Sequence, residues 1–176
     1  AKKCYAGDIL IREILQSMRP HQWYKNLVIF VAIIFSYNLF SLEMWLSSLF
    51  AFAMFCLISG SVYLINDIKD VDKDQLHPKK MHRPIASGTL ASRTALLTAI
   101  ILLSISLSTS FFVNRSLCYF ELLYIVINLL YTLYLKRFAL IDVIIVAVGF
   151  VLRAIVGSIA INVPVSPWLV LCVFLM

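Results

Sequence analysis

The stretch NDIKDVDKDQLHPKKMHRPIASG, Asn66 to Gly88, follows some twenty mostly apolar residues. Four aspartates therefore stand at the end of a hydrophobic segment, and lysines, histidines and an arginine come directly after them. Outside this stretch the chain is poor in charge. Charged residues make up 14% of its 176 positions, against about 25% in an ordinary soluble domain.

The rest of the composition says where such a cluster must sit. Hydrophobic residues make up 62% of the chain and the mean hydropathy is +0.94. Apolar stretches long enough to cross a bilayer recur, which predicts an all-α, polytopic transmembrane helical bundle. The spacing places five spans at 24–41, 44–65, 94–113, 117–135 and 139–161, and the start of a sixth from 168. PWLVLCVFLM then ends after about ten residues, where a span needs about twenty. The expectation is a single membrane-embedded domain over 1–176, the N-terminal part of something longer. Residues 1–23 form a cytoplasmic or interfacial leader, and 66–93 a cytoplasmic loop.

Net charge is +6, and in so apolar a chain this speaks to topology. Cytoplasmic loops carry the excess of Lys and Arg. Lys2, Lys3, Arg12, Arg19 and Lys25 lie at the N-terminus. Lys69, Lys73, Lys79, Lys80, Arg83 and Arg93 lie in the aspartate loop, and Lys136 and Arg137 follow the fourth span. The turns near Asn38–Glu43, Asn114–Ser116 and Asn162–Pro167 hold only Arg115 between them. The N-terminus and the aspartate loop are thus expected on the cytoplasmic side. ILIREILQSM can place Ile11, Ile14, Leu15 and Met18 on one face of a helix at the membrane surface.

Several function classes are excluded or demoted. No basic tract interleaves with exposed aromatics, so nucleic acid is not an expected partner. Cys4, Cys56, Cys118 and Cys172 show no metal spacing, and three lie in apolar segments, where cysteine is a small hydrophobe. Asn114-Arg115-Ser116 matches a glycosylation sequon, but a tight turn close to the membrane is a poor acceptor.

If the second span continues as a helix through residue 74, Asp67, Asp70 and Asp74 fall within about 60° of one another, with Asn66 beside them and Asp72 facing away. Neighbouring carboxylates about 6 Å apart repel by roughly 3 kcal/mol at an effective dielectric of 20. Asp67 and Asp74 are about 10 Å apart along such a helix, so a diphosphate carrying Mg²⁺ suits the stripe better than a bare ion. Mg²⁺ uses one or two carboxylates, keeps waters and takes substrate phosphates as further ligands. Lys79, Lys80 and Arg83 supply charge for phosphate oxygens. His77 and His82 lack a metal-ligand spacing.

NDIKDVDKD followed by HRPIASG resembles the first aspartate-rich motif of the UbiA superfamily of intramembrane prenyltransferases, NDxxDxxxD with a downstream RPxxxG. RPHQWYKN, Arg19 to Asn26, and HPKKMHRPIASG look like its decaprenyl-phosphate phosphoribosyltransferase branch. Tyr134 to Gly157 also looks family-like, with Asp142 and Arg153 at its polar positions. The resemblance implies a bundle of about nine spans around a membrane cavity in a bacterial inner membrane, as a monomer or an oligomer. A second aspartate motif would lie beyond this sequence.

The resemblance implies transfer of 5-phosphoribosyl from phosphoribosyl diphosphate to a polyprenyl phosphate, for cell-wall arabinan precursors. Asn66, Asp67, Asp70 and Asp74 would hold Mg²⁺ against the diphosphate. Lys79, Lys80 and Arg83 would bind donor phosphates. Arg19 and Lys25 are candidates for the acceptor phosphate or the donor 5-phosphate. Arg153 either binds phosphate or makes a helix-packing hydrogen bond. Trp23 either serves the site or anchors the interface, and Tyr131 and Tyr134 either line the cavity or sit at the interface. Two rivals remain. One is prenyl transfer to an aromatic acceptor such as 4-hydroxybenzoate. The other is a transporter with an acidic mouth, which the scarcity of mid-span ionisable residues disfavours, Arg153 being the clearest.

Overall fold

The computed structural model describes residues 6–36, 39–136 and 139–175. Lys2, Lys3, Cys4, Asn38 and Arg137 lie outside the described residues. Among those described, all regular structure is helical. Helix α1 is Ala6–Met18. A 3₁₀ helix, Pro20–Phe30, runs into the short α2, Val31–Phe35. Then come α3, Leu42–Lys69, and the single turn α4, Val71–Gln75. After a compact loop follow α5, Ser92–Val113, and α6, Arg115–Leu130, which a π-helical turn prolongs over Tyr131–Leu135. Helices α7, Ala139–Ala160, and α8, Pro167–Leu175, follow.

Among the described residues, four helices are long and apolar enough to cross a bilayer: α3, α5, α6 with its π turn, and Ile141–Ala160 of α7. The chain is therefore an integral, multi-pass membrane protein. The expected first span, 24–41, is not a continuous α-helix. Burial there recurs every third residue, with Asn26, Ile29 and Ala32 all buried. That is the side-chain repeat of a 3₁₀ helix. The tighter winding also rises about 2.0 Å per residue, so Pro20–Phe35 extends roughly 30 Å, near the thickness of the hydrocarbon core.

Helix α3 lies at the centre. Its face Ala51, Phe55, Ile58 and Val62 packs with Ile29, with Leu117 and Tyr124 of α6, and with Leu152 and Val156 of α7. Helix α5 turns Ala95, Ala99, Ser106 and Ser110 inward and Leu97, Ile101 and Ile105 outward. Small residues let two helices approach closely where lipid offers no hydrophobic drive. Ser59, Ser61, Thr98 and Ser158 donate to carbonyls one turn back, which satisfies their hydroxyls inside the bundle.

A second core cluster closes the aspartate end, joining Met18, Leu64, Ile85, Leu90, Ala95 and Ala99. Helix α1 forms as expected, but only part of its apolar face is left free. Ile14 and Met18 pack into this cluster, whereas Ile11 and Leu15 stay exposed. Trp23 also packs against the cluster, so it serves the core as well as any interface.

The sequon asparagine has a structural task. Asn114 Oδ1 accepts the backbone N–H groups of Ser116 and Leu117 at 2.9 and 3.3 Å, capping α6. Asn114→Ala is expected to cost about 1 kcal/mol, read as a lower melting temperature in detergent.

Candidate active site

Helix α3 ends at Lys69, and Asp70 caps both α3 and α4 with φ −95° and ψ 6°. The helix expected through residue 74 is thus interrupted. Asp67 and Asp74, seven residues apart, both reach one nitrogen. Arg83 Nη1 lies 3.1 Å from Asp67 and 2.5 Å from Asp74. Asp67, Asp70 and Asp74 are only 3, 7 and 3% exposed, while Asp72 faces outward as the helical wheel requires.

Cations from three separate regions surround these buried acids. Arg19 Nη2 is 2.5 Å from Asp67. Lys80 Nζ is 3.9 Å from Asp74. Lys136, from the turn after α6, pairs with Asp70 and lies 3.4 Å from Asn66 Oδ1. Buried carboxylates require such partners, because an unpaired one pays the desolvation cost alone. The repulsion within the stripe is offset by the protein's own guanidinium and ammonium groups.

Local sequence places each cation. Arg19 has φ 55° and ψ 63°, the left-handed region, which non-glycine residues occupy at a cost. Pro20 disfavours the right-handed helix for the residue before it. In this conformation the guanidinium reaches Asp67 and lies over the Tyr63 ring, 5.0 Å from its centre. Arg83 opens the RPIASG turn. Ile85 and Ala86 bury the turn against the bundle, Ser87 N–H donates to Arg83 O at 2.8 Å, and Leu90 N–H donates to Pro84 O at 2.9 Å. Gly88 has φ 80°, a conformation glycine adopts without strain. Lys79 remains exposed on the same loop, its backbone N–H donating to His77 Nδ1 at 3.2 Å.

A polar layer lies beneath the acids. Tyr63 OH donates to Gln22 Oε1 at 2.8 Å, and Lys25 Nζ donates to the same oxygen at 3.3 Å. Deeper, Arg153 is buried. Its Nε donates to Asn26 Oδ1 at 2.7 Å, Nη1 to Gly149 O at 2.8 Å, and Nη2 to Tyr124 OH at 2.9 Å. Of the two roles expected for Arg153, these contacts are those of the packing hydrogen bond. Asn26 Nδ2 in turn reaches Cys56 Sγ and Ser59 Oγ, both at 3.3 Å. Asn26 therefore stitches the 3₁₀ helix to α3 and α7.

Sequence reasoning passed over Lys136, Tyr63, Gln22 and Asn26 as site residues. Lys136 was visible only as one more positive charge at a span end. Asn26 stood within RPHQWYKN, where its burial depends on a three-residue repeat. Tyr134 is exposed at the rim of a cavity of about 240 Å³ that opens beside Asp70, Lys69 and Lys136. Tyr131 faces Asp142 at the start of α7. A larger apolar cleft of about 490 Å³ lies between α2, α7 and α8, away from the charged residues, and has no group suited to phosphate chemistry.

The donor set suits a hard divalent ion. Three carboxylates and the Asn66 amide oxygen are the oxygen ligands Mg²⁺ takes. Among the described residues no three His, Cys, Asp or Glu side chains converge closely enough to enclose a metal by themselves. They fit an ion whose remaining ligands come from phosphate and water. The clustered cations suit the phosphate oxygens.

Helical bundle, acid stripe and basic rim together gather three buried carboxylates and four cations at one end of the molecule. Residues 26–176 match the UbiA prenyltransferase family, and the chain belongs to it. Among curated proteins, the decaprenyl-phosphate phosphoribosyltransferase of Mycolicibacterium smegmatis is 36% identical over 168 residues, covering 92% of this chain and 52% of that protein. The protein of the same name from Mycobacterium tuberculosis is 31% identical, over 92% of this chain and 55% of its own length. The chain spans about half the length of these relatives. Among solved structures, a UbiA homolog from Archaeoglobus fulgidus bound to DMAPP and Mg²⁺ superposes with a TM-score of 0.76 at 25% identity, covering 92% of this chain and 59% of that one.

Proposed function

We propose that this chain carries the aspartate-rich part of an Mg²⁺-dependent transferase that moves 5-phosphoribosyl from phosphoribosyl diphosphate to a polyprenyl phosphate. The observation that carries the reading is the convergence of three buried carboxylates with Arg19, Lys80, Arg83 and Lys136 at one end of the bundle. The names of the relatives support the choice of donor and acceptor.

Asn66, Asp67, Asp70 and Asp74 would hold the metal, which when bound neutralises leaving-group charge. The chain's own cations do the rest. Arg83 and Lys80 can turn from carboxylate to diphosphate oxygens, the guanidinium binding either bidentately and the ammonium as a point charge. Arg19 and Lys25, at the base of the acids, suit the acceptor phosphate or the donor 5-phosphate. The bond from ribose C1 to the diphosphate oxygen breaks, and the diphosphate leaves with the electron pair. An oxygen of the polyprenyl phosphate bonds to C1. The acceptor is already anionic, so no strong general base is required, and rate comes from positioning and fixed charge.

The positive residues gathered at the aspartate end support a cytoplasmic placement of that end in the inner membrane. The test uses full-length protein in membranes with labelled phosphoribosyl diphosphate and polyprenyl phosphate. Labelled lipid is expected, and its formation stops when EDTA removes Mg²⁺. No labelled lipid, with prenyl transfer when a polyprenyl diphosphate and 4-hydroxybenzoate are supplied in their place, would replace this reading with aromatic prenylation.

A further inference from the structure

Glu121 stands within α6, in the apolar run CYFELLYIV, with 0% exposure. Its Oε1 accepts a hydrogen bond from the Ser110 hydroxyl of α5 at 2.8 Å. Its Oε2 is buried without a hydrogen-bond partner. The ion pairs of the described residues all lie at the aspartate end, so none neutralises this carboxylate. Ser48 of α3 supplies an independent observation: it too is 0% exposed, and its Oγ also lacks a partner.

The packing brings these atoms to one level of the bundle. Ser106 Oγ lies 3.4 Å from Met54 O. With α5 antiparallel to α3, Ser110 then stands one turn nearer the start of α3, beside Phe50 and Ala51. The Phe55 and Tyr124 rings meet at a tilt of 56° with centres 5.3 Å apart, which sets α6 against α3. Glu121 precedes Tyr124 by three residues, and helical side chains tilt toward the N-terminus of their own helix. The carboxylate is thereby directed toward the level of Ser48.

An unpaired carboxylate among hydrocarbon is costly and calls for one positive charge. Glu121 Oε2 and Ser48 Oγ, on neighbouring helices, each lack a hydrogen-bond partner. An ion coordinated by both would satisfy the two oxygens at once. The available ligands are all oxygens, which suit a hard ion. We propose that Glu121, Ser48 and Ser110 bind one small monovalent cation of the sodium class, at the end of the bundle opposite the aspartates. A cavity of about 360 Å³ at that end, lined by Ser47, Asn114 and Asn162, supplies a polar approach; it also touches Leu117, one turn from Glu121. The ion neutralises α6 and ties it to α3 and α5, independently of the diphosphate site.

The test compares melting of the full-length protein in lipid nanodiscs in sodium chloride and in choline chloride of equal concentration. A saturable rise of about 3 °C or more in sodium is expected, abolished by Glu121→Gln and reduced by Ser48→Ala. A second readout needs no variant. Dicyclohexylcarbodiimide, a membrane-permeant carboxyl reagent, should label Glu121 in choline, as read by peptide mass spectrometry, and sodium should suppress the labelling. Identical melting in the two salts, or labelling indifferent to sodium, would show that a proton alone neutralises the carboxyl group and would overturn the proposal.

Discussion

Asp67→Asn in the full-length protein is expected to lower turnover by two to three orders of magnitude, roughly the effect of deleting one preorganised electrostatic contact to a transition state. Asp67 is the acid on which both arginines converge, Arg19 at 2.5 Å and Arg83 at 3.1 Å. The substitution removes a carboxylate proposed to hold the metal and leaves two guanidinium groups with weaker partners. Breaking a buried ion pair costs about 3–5 kcal/mol. The two arginine side chains are 16 and 26% exposed, so solvent lowers this, to about 1–2 kcal/mol. The protein should therefore still insert and fold, and the loss should lie in turnover and in the Mg²⁺ concentration needed for it. Asp72→Asn, on the exposed side, serves as the control and should be close to wild type. Wild-type turnover for Asp67→Asn at ordinary Mg²⁺ would remove this residue from the machinery.

The acid stripe was legible because its chemistry is carried by local spacing. Asp67, Asp70 and Asp74 share a helical face whatever the tertiary fold, and Asp72 does not. The helical class was equally plain, since apolar runs of span length leave few alternatives. What periodicity could not convey was the break at Asp70, or that Asp67 and Asp74 share one arginine nitrogen. Nor could it convey the 3₁₀ winding of Pro20–Phe30. Standard patterning weighs periods of two and 3.6, and a period of three among Asn26, Ile29 and Ala32 falls between them. Lys136 and Asp70 are paired across 66 positions, a relation that only packing creates. Glu121 was a simpler omission: one acid in an apolar run leaves mean hydropathy almost unchanged.

Gly157→Ala should lower stability by about 3–5 kcal/mol, and the reason lies in backbone approaching backbone. A Cβ built on Gly157 of α7 would lie 2.1 Å from Ile29 O, 2.9 Å from its carbonyl carbon and 3.1 Å from its Cα. No rotamer change relieves contacts with main-chain atoms, so α7 and the 3₁₀ helix must separate. Overpacking of this kind costs about 1–3 kcal/mol and sometimes more. Separation also stretches the 2.7 Å bond from Arg153, one turn away, to Asn26, and a hydrogen bond to a charged group contributes about 1.5–3 kcal/mol. Gly60 supplies the comparison. A Cβ there would meet Met18 Cε at 2.7 Å, the free end of a flexible side chain that can swing aside, and Met18 Cβ and Cγ at 3.1 and 3.2 Å, which asks α1 to give by only a few tenths of an ångström. With about 2–4 °C per kcal/mol for a chain of this size, Gly157→Ala should melt roughly 10 °C below wild type in detergent, and Gly60→Ala within about 3 °C of it. Equal melting temperatures for the two variants would mean that the 3₁₀ helix yields as easily as a methionine side chain. The bond from Arg153 to Asn26 would then not be what holds α7 against the 3₁₀ helix.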